Sequence, residues 1–228
     1  MRREEGRSIK SIAAAVRVSV ASVSTWVRDI ELTPDQRERL SRAHNPARAR
    51  GRARRAANAR AIRMGYQQEG RERARRGEPL HLIGCMLYWA EGSKSRNTVA
   101  FVNSDPDMVS VFLRFLRECY GVEDEQVVLR CNCFVNNGPS LKEIQDWWLS
   151  LLGLPRSSLR KPVVNRPSSA GSASRRTLVY GTVRITVHST RIIQSIYGAI
   201  QEYAGADRPE WVDLTDPCRR PRAAPPAP

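Results

Sequence analysis

Ser22, Ser24, Thr25 and Arg28 crowd one short stretch, VSVASVSTWVR over 18–28, whose other members are small or apolar. Hydroxyls and a guanidinium so close together offer recognition by hydrogen bonding, and the small residues between them let a helix sit deep against a polar edge. The apolar residues around them explain what holds such a set in place. Taking Ala13 as the small residue where two helices cross, Ile12, Ala13 and Val16 bury a first helix, and Val23 and Trp26 bury a second after a turn at Arg17 and Val18. Ser19 is a good N-cap for the second helix, leaving Val20, Ala21, Ser22, Ser24, Thr25 and Arg28 to face outward. That is the layout of a helix-turn-helix, whose second helix enters a DNA major groove. The bland alternative is a helical hairpin that only packs.

Two features depart from the pattern. Arg17 stands where a glycine is usual, so the turn must avoid a left-handed backbone or be strained by it. Only Met1 to Arg7 precede the pair, so the supporting first helix is expected to be missing or very short.

Charge supports a nucleic-acid partner. The 228 residues carry a formal net charge of +15, with 41% hydrophobic content, enough for one moderate core and a small accessory module. Neutralising six or more phosphates would lower affinity by about 10³ or more between about 50 and 200 mM salt. The charge is concentrated: from Leu40 to Gln68 no acidic residue occurs, while Arg42, Arg48, Arg50, Arg52, Arg54, Arg55, Arg60 and Arg63 stand among alanines. Both types favour helix, so this basic linker should be helical once neutralised and frayed before that, its arginines resting on DNA phosphates, with Arg48, Arg52 and Arg55 among the contacts.

No run of about 18 apolar residues and no N-terminal apolar segment occurs, so the expectation is a cytoplasmic chain without membrane attachment. Cys85, Cys119, Cys131, Cys133 and Cys218 are odd in number and scattered, and read as reduced thiols rather than zinc ligands.

The organisation expected is a helix-turn-helix module over 1–40, the linker over 41–78, an α+β domain over 79–205 and a Pro/Arg-rich disordered tail over 206–228. Thr33 and Pro34 open a short helix toward Leu40. In the α+β domain the spacing predicts helices over 81–90, 107–120, 141–152 and 190–203, strands over 98–102, 126–135, 162–165 and 178–188, and a Ser/Ala/Gly loop over 168–174. Alternation puts Val179, Val183, Ile185 and Val187 on one side of the last strand and Tyr180, Thr182, Arg184, Thr186 and His188 on the other. In 126–135 it puts Val127, Leu129, Cys131, Cys133 and Val135 inside, with Arg130 and Asn132 outside. Two antiparallel strands presenting these polar residues make either a solvated face or a ribbon for a major groove.

From Leu82 onward, LIGCMLYWAEGSKS, then VAFVNSDPDMVSVFLRFLRECYGV, then YGTVRITVHST, the chain resembles the LAGLIDADG homing endonucleases over roughly 80–203. The resemblance implies a mixed αββαβ-type domain whose sheet saddles DNA, and a signature helix that packs on its twin, so one copy per chain implies a homodimer. By this resemblance Glu91 matches the acidic residue holding a divalent metal at the scissile phosphate and Gly92 the glycine after it, with Mg²⁺ the ion if the chain cuts. The departures are Met86, where the family's first glycine would stand, and Gly84, two residues early. A surface carboxylate, or a partner for Lys94, are the plainer roles for Glu91. The combination with a helix-turn-helix also looks like bacterial DNA-binding regulators whose endonuclease-like domain does not cut.

The reading is therefore sequence-directed binding of double-stranded DNA, regulatory in role and needing no cofactor. Its contacts are Ser19, Ser22, Ser24, Thr25, Arg28, the linker arginines, and a second surface of Lys94, Arg96, Arg130, Asn132, Arg184, Thr186 and His188. The alternative is a Mg²⁺-dependent site-specific endonuclease using Glu91; an accessory protein of a recombinase is a third reading.

Overall fold

The computed structural model describes residues 1–43, 46–134, 138–165 and 178–214, and for residues 2, 3, 41–43, 46–49, 134 and 165 the backbone alone. The loop expected over 168–174 and Val135 lie outside the described residues. The chain is α+β and divides into two units, Met1–Ala59 and Arg60–Pro228. Among the described residues no helix is long and apolar enough to cross a membrane.

The first unit holds α1 (Arg2–Glu5), α2 (Ile9–Val16), α3 (Val20–Trp26), α4 (Pro34–Ala43) and the first half of α5 (Pro46–Ala74). Side-chain caps start the central pair: Ser8 Oγ accepts from the Ser11 N–H and Ser19 Oγ from the Ser22 N–H, each at 3.0 Å. Among the described residues its buried apolar cluster is Ile12, Ala13 and Val23, with Ile9, Val18 and Val27 packed against them. Val16 and Trp26, expected inside, are 46% and 63% exposed. So small a core has no room for an indole, and Val27 turns inward in its place. Arg17 takes the left-handed conformation (φ 56°, ψ 40°), and its N–H bonds the Ala13 carbonyl at the end of α2. α1 is a single turn, and α4 supplies the support it cannot give. Gln36 is buried, its amide donates to the Glu4 carbonyl at 3.2 Å, and its Oε1 accepts from the Thr33 N–H.

The second unit begins inside α5, so it takes in residues 60–78, which the sequence assigns to the linker. Then come α6 (Pro79–Glu91), β1 (Val99–Asn103), α7 (Pro106–Tyr120), β2 (Val127–Phe134), α8 (Leu141–Leu152), β3 (Val163–Asn165), β4 (Thr182–Val187) and α9 (Thr190–Ala204). Asp105 caps α7 by accepting from the N–H groups of Asp107 and Met108. The strands form one sheet in the order β1-β4-β2-β3, antiparallel except for β2 with β3. Its inner face, with Val99, Phe101, Val127, Leu129, Cys131, Val183, Ile185 and Val187, joins Cys85, Tyr88, Phe112, Leu116, Trp148, Ile193 and Tyr197 of the helices in a single core. Cys85, Cys119, Cys131 and Cys133 are buried free thiols, as the alternation and scatter imply.

Two expectations are corrected here. Tyr180 does not join the polar sheet face: the strand starts only at Thr182, after Gly181 at φ 65°, and Tyr180 stacks on Trp147 of α8 at 4.1 Å. The start of the expected tail is ordered, because Pro209–Asp213 forms a 3-10 turn that buries Trp211 and Val212.

α5 docks on α9 at a close backbone crossing. A Cβ at Gly70 would lie 1.9 Å from the Ser195 carbonyl oxygen, and one at Gly198 equally close to that of Gln67. Beside the crossing His81 is buried, with Nδ1 2.8 Å from the Tyr203 hydroxyl and Nε2 3.2 Å from that of Tyr120. Burial, aided by the Arg73 guanidinium, pushes its imidazole down to about 4.

Gly198→Ala is expected to destabilise the chain by about 1–3 kcal/mol through enforced separation of the two helices, read as a lower urea midpoint; an unchanged midpoint would contradict the close crossing. Because the folded chain holds His81 neutral, stability is complete above its unfolded pKa of about 6.5 and is lost as pH falls from there to about 4. Urea midpoints at about pH 7.5 and 5 should therefore differ less in His81→Gln than in the parent; an equal difference would place the titration elsewhere.

Candidate nucleic-acid interface

Three sets of side chains face outward with the chemistry expected of nucleic-acid contacts. In the first unit, α3 carries Ser22, Ser24 and Thr25, and Arg28 stands two residues past its end. Ser19 and Ser22 share a hydroxyl–hydroxyl bond of 2.8 Å, and the Thr25 hydroxyl donates to the Ala21 carbonyl. These internal bonds help hold the helix. Ser24 and Arg28 are exposed and make no such bond, so they are the members best placed to reach outward, with Trp26 beside them. Reasoning from periodicity missed Trp26, because Val23 with Trp26 and Val23 with Val27 are equally good helical spacings. The volume of the core was the signal that separates them.

The second set is the arginines of α5, and the structure divides them. Arg50, Arg52, Arg54 and Arg55 are exposed, without a carboxylate partner among the described residues. The side chain of Arg48 lies outside the described residues. Arg60 and Arg63 do not belong with them: both bind Asp213, each at 2.7 Å, and Arg63 also donates to the Val212 carbonyl. They anchor the helix rather than await phosphate.

The third set lies on the outer face of the sheet. β2 and β4 are antiparallel neighbours, as their patterns imply, and Arg130 stands directly opposite Arg184. Arg130 is exposed and Arg184 half-buried, and neither has a carboxylate partner among the described residues. Directly opposite side chains on antiparallel strands have Cβ atoms about 5 Å apart, where like charges repel. Asn132 and Thr182 form the next rung, joined by a 3.4 Å hydrogen bond, and Thr186 the rung beyond Arg184, opposite Val128. His188 is exposed past the end of β4, with Nδ1 3.3 Å from the Thr98 hydroxyl, beside a cavity of about 390 Å³ lined in part by Gln126, Ser189 and Arg191.

Lys94 and Arg96 lie in the segment between α6 and β1. The Lys94 ammonium donates to the carbonyls of Tyr88, Trp89 and Gly92, closing the C-terminus of α6, and its burial lowers its affinity for a proton. Arg96 is half-buried in the segment before β1, its carbonyl taken by the Gln194 amide. Glu91 is exposed at the end of α6 and has no salt bridge to Lys94. Among the described residues no three of His, Cys, Asp or Glu gather closely enough to hold a metal ion. Glu91 by itself does not make a Mg²⁺ site. Gly84 is occupied within the chain, since a Cβ there would meet the Phe115 ring at 2.1 Å. The outer side of α6 leaves Leu82, Ile83 and Trp89 exposed.

The chain matches no family model, no curated protein and no solved structure.

The opposed arginines give a test with two signs. Arg184→Gln is expected to raise the stability of the free protein by a few tenths of a kcal/mol and, if this face is a DNA contact, to weaken binding of duplex DNA with a shallower dependence on salt. Urea unfolding and fluorescence titration measure both, and a variant that is less stable but binds as before would remove the pair from the interface.

Proposed function

We propose that this chain binds double-stranded DNA in a sequence-directed, regulatory role, with α2 and α3 acting as a helix-turn-helix and the outer sheet face as a second contact. The observation that carries this reading is the Arg130–Arg184 pair, a repulsion on an open face that an anion between the two guanidiniums would reverse. A row of phosphates is the anion that also suits the acid-free run of arginines in α5.

The sheet contributes by lying against the DNA backbone rather than entering a groove. Strands lie about 4.8 Å apart, so four span roughly 14 Å between outer axes, more than the roughly 12 Å of a major groove. The two-stranded ribbon that the sequence suggests is not free to insert, because β1 flanks β4 and β3 flanks β2. Base reading then falls to α3 and the residues just after it, where Ser24 and Arg28 are the residues to test. Homodimerisation, if it supplies the two-fold symmetry of a DNA half-site pair, would use the exposed apolar side of α6, and the endonuclease reading would require it, since among the described residues Glu91 joins no group of three or more metal-ligating side chains.

The experiment selects genomic fragments that the purified chain retains in EDTA at moderate salt, footprints them, then adds Mg²⁺ and resolves the strands on a denaturing gel. Discrete protected and uncut sites, with at least about tenfold weaker binding by Ser24→Glu, are expected. Retention without footprints, or footprints that Ser24→Glu leaves unchanged, would overturn sequence-directed reading by α3. New ends that vanish in Glu91→Gln would instead make the chain an endonuclease.

A further inference from the structure

The exposed part of α5 has an order that a mere phosphate clamp does not need. At about 100° per residue, Arg50 and Arg54 fall on one ridge and Arg52 and Arg55 on another about 150° away. Gly51 and Asn58 fall between the ridges, while Ala53, Ala56 and Ala57 fill the far side. A helix laid across one strand of DNA would want its arginines on one side. Two ridges flanking a narrow face suit a helix with phosphates to its left and right, which is the setting inside a groove.

Composition sharpens the point. Between Pro46 and Arg63 every residue is Ala, Arg, Gly, Pro or Ile except Asn58. Asn58 is exposed, has no hydrogen-bond partner among the described residues, and lies on the face that would meet the groove floor. Gly51, on the same face, adds no side chain to hold the backbone away. An Asn side chain pairs bidentately with the N6 and N7 edge of adenine in the major groove.

We infer that α5 over 50–58 is a second major-groove reading helix, in which Asn58 reads an adenine while Arg50 with Arg54 and Arg52 with Arg55 hold the two backbones. This rests on the DNA-binding reading above and goes beyond it, because that reading gives the arginines no sequence preference. The partner is B-form DNA. The A-form major groove of duplex RNA is deep and too narrow for a helix to enter.

The test uses the full chain. Random duplex DNA is selected with the parent and with Asn58→Ala, an exposed-helix change that raises helix propensity and removes no side-chain hydrogen bond among the described residues. The parent should select an adenine that Asn58→Ala no longer prefers, with roughly tenfold or greater discrimination lost at that position alone and the salt slope unchanged. Arg54→Gln should instead weaken all duplexes alike and reduce the salt slope by about 1. The same motif and strength of preference with Asn58→Ala would overturn the inference while leaving DNA binding standing. A chain that retains no duplex DNA would sink the underlying reading, and tighter binding to duplex RNA of equal length would overturn both.

Discussion

Helix α9 is buried along Ile193–Gln201, polar residues included, and the second unit is arranged around satisfying it. Two of those residues are glutamines, and a buried amide left without partners costs about 1–3 kcal/mol. Gln194 donates to the Arg96 carbonyl and accepts from Gln67; Gln201 donates to the Tyr197 carbonyl and accepts from Arg71 and the Arg208 N–H. Those partners come from α5, from the segment before β1 and from the chain beyond α9. The buried amides thus dictate which segments must come together, and Gly70 and Gly198 let two of them come close enough. On the outer sheet face Arg130 is exposed and Asn132, Thr182, Arg184 and Thr186 are half-buried, while Ala100 of β1 is covered.

Much of this architecture was legible locally. The helices of the second unit have strong caps and apolar spacing, and the parity of β2 and β4 is a direct consequence of one-sided burial, so Arg130, Asn132, Arg184 and Thr186 could be placed outward from alternation alone. What escaped depends on contacts between residues far apart in the chain. Nothing near Arg60 or Arg63 announces Asp213, some 150 positions on, so both read as members of a uniform basic run. Trp211 and Val212 likewise look like the beginning of a disordered tail until α9 gives them a surface to cover. Lys94 illustrates the same limit at short range, because a lysine after a helix serves equally as a surface charge or as a cap for its carbonyls.

The arginines show why a net charge of +15 says less than its distribution. Arg60, Arg63, Arg71, Arg73, Arg75 and Arg117 are held by carboxylates of the fold and contribute to cohesion. Arg50 to Arg55, Arg130 and Arg184 are set against one another instead. Folding gains nothing from them in that state, and the opposed pair in the sheet works against it. Uncompensated charges close together are the groups whose free energy falls most when an anion arrives, so the same side chains that weaken the free chain would strengthen a complex.

The first unit carries this coupling further. Among the described residues its buried apolar cluster is Ile12, Ala13 and Val23, and its central turn forces a non-glycine residue into the left-handed region, which costs roughly 1 kcal/mol or more. A unit so small is marginal by itself, since burial rises only slowly with size. Its N-caps at Ser8 and Ser19 and the closure by Gln36 supply local order without much apolar burial. A ligand that binds only the folded form adds about 2.7 kcal/mol at a hundredfold excess over its dissociation constant, a large share of what a module of this size can hold. The exposed Trp26, which so small an interior excludes, and the hydroxyls beside it stand on the surface, where a partner that bound the folded form would add to the unit's stability.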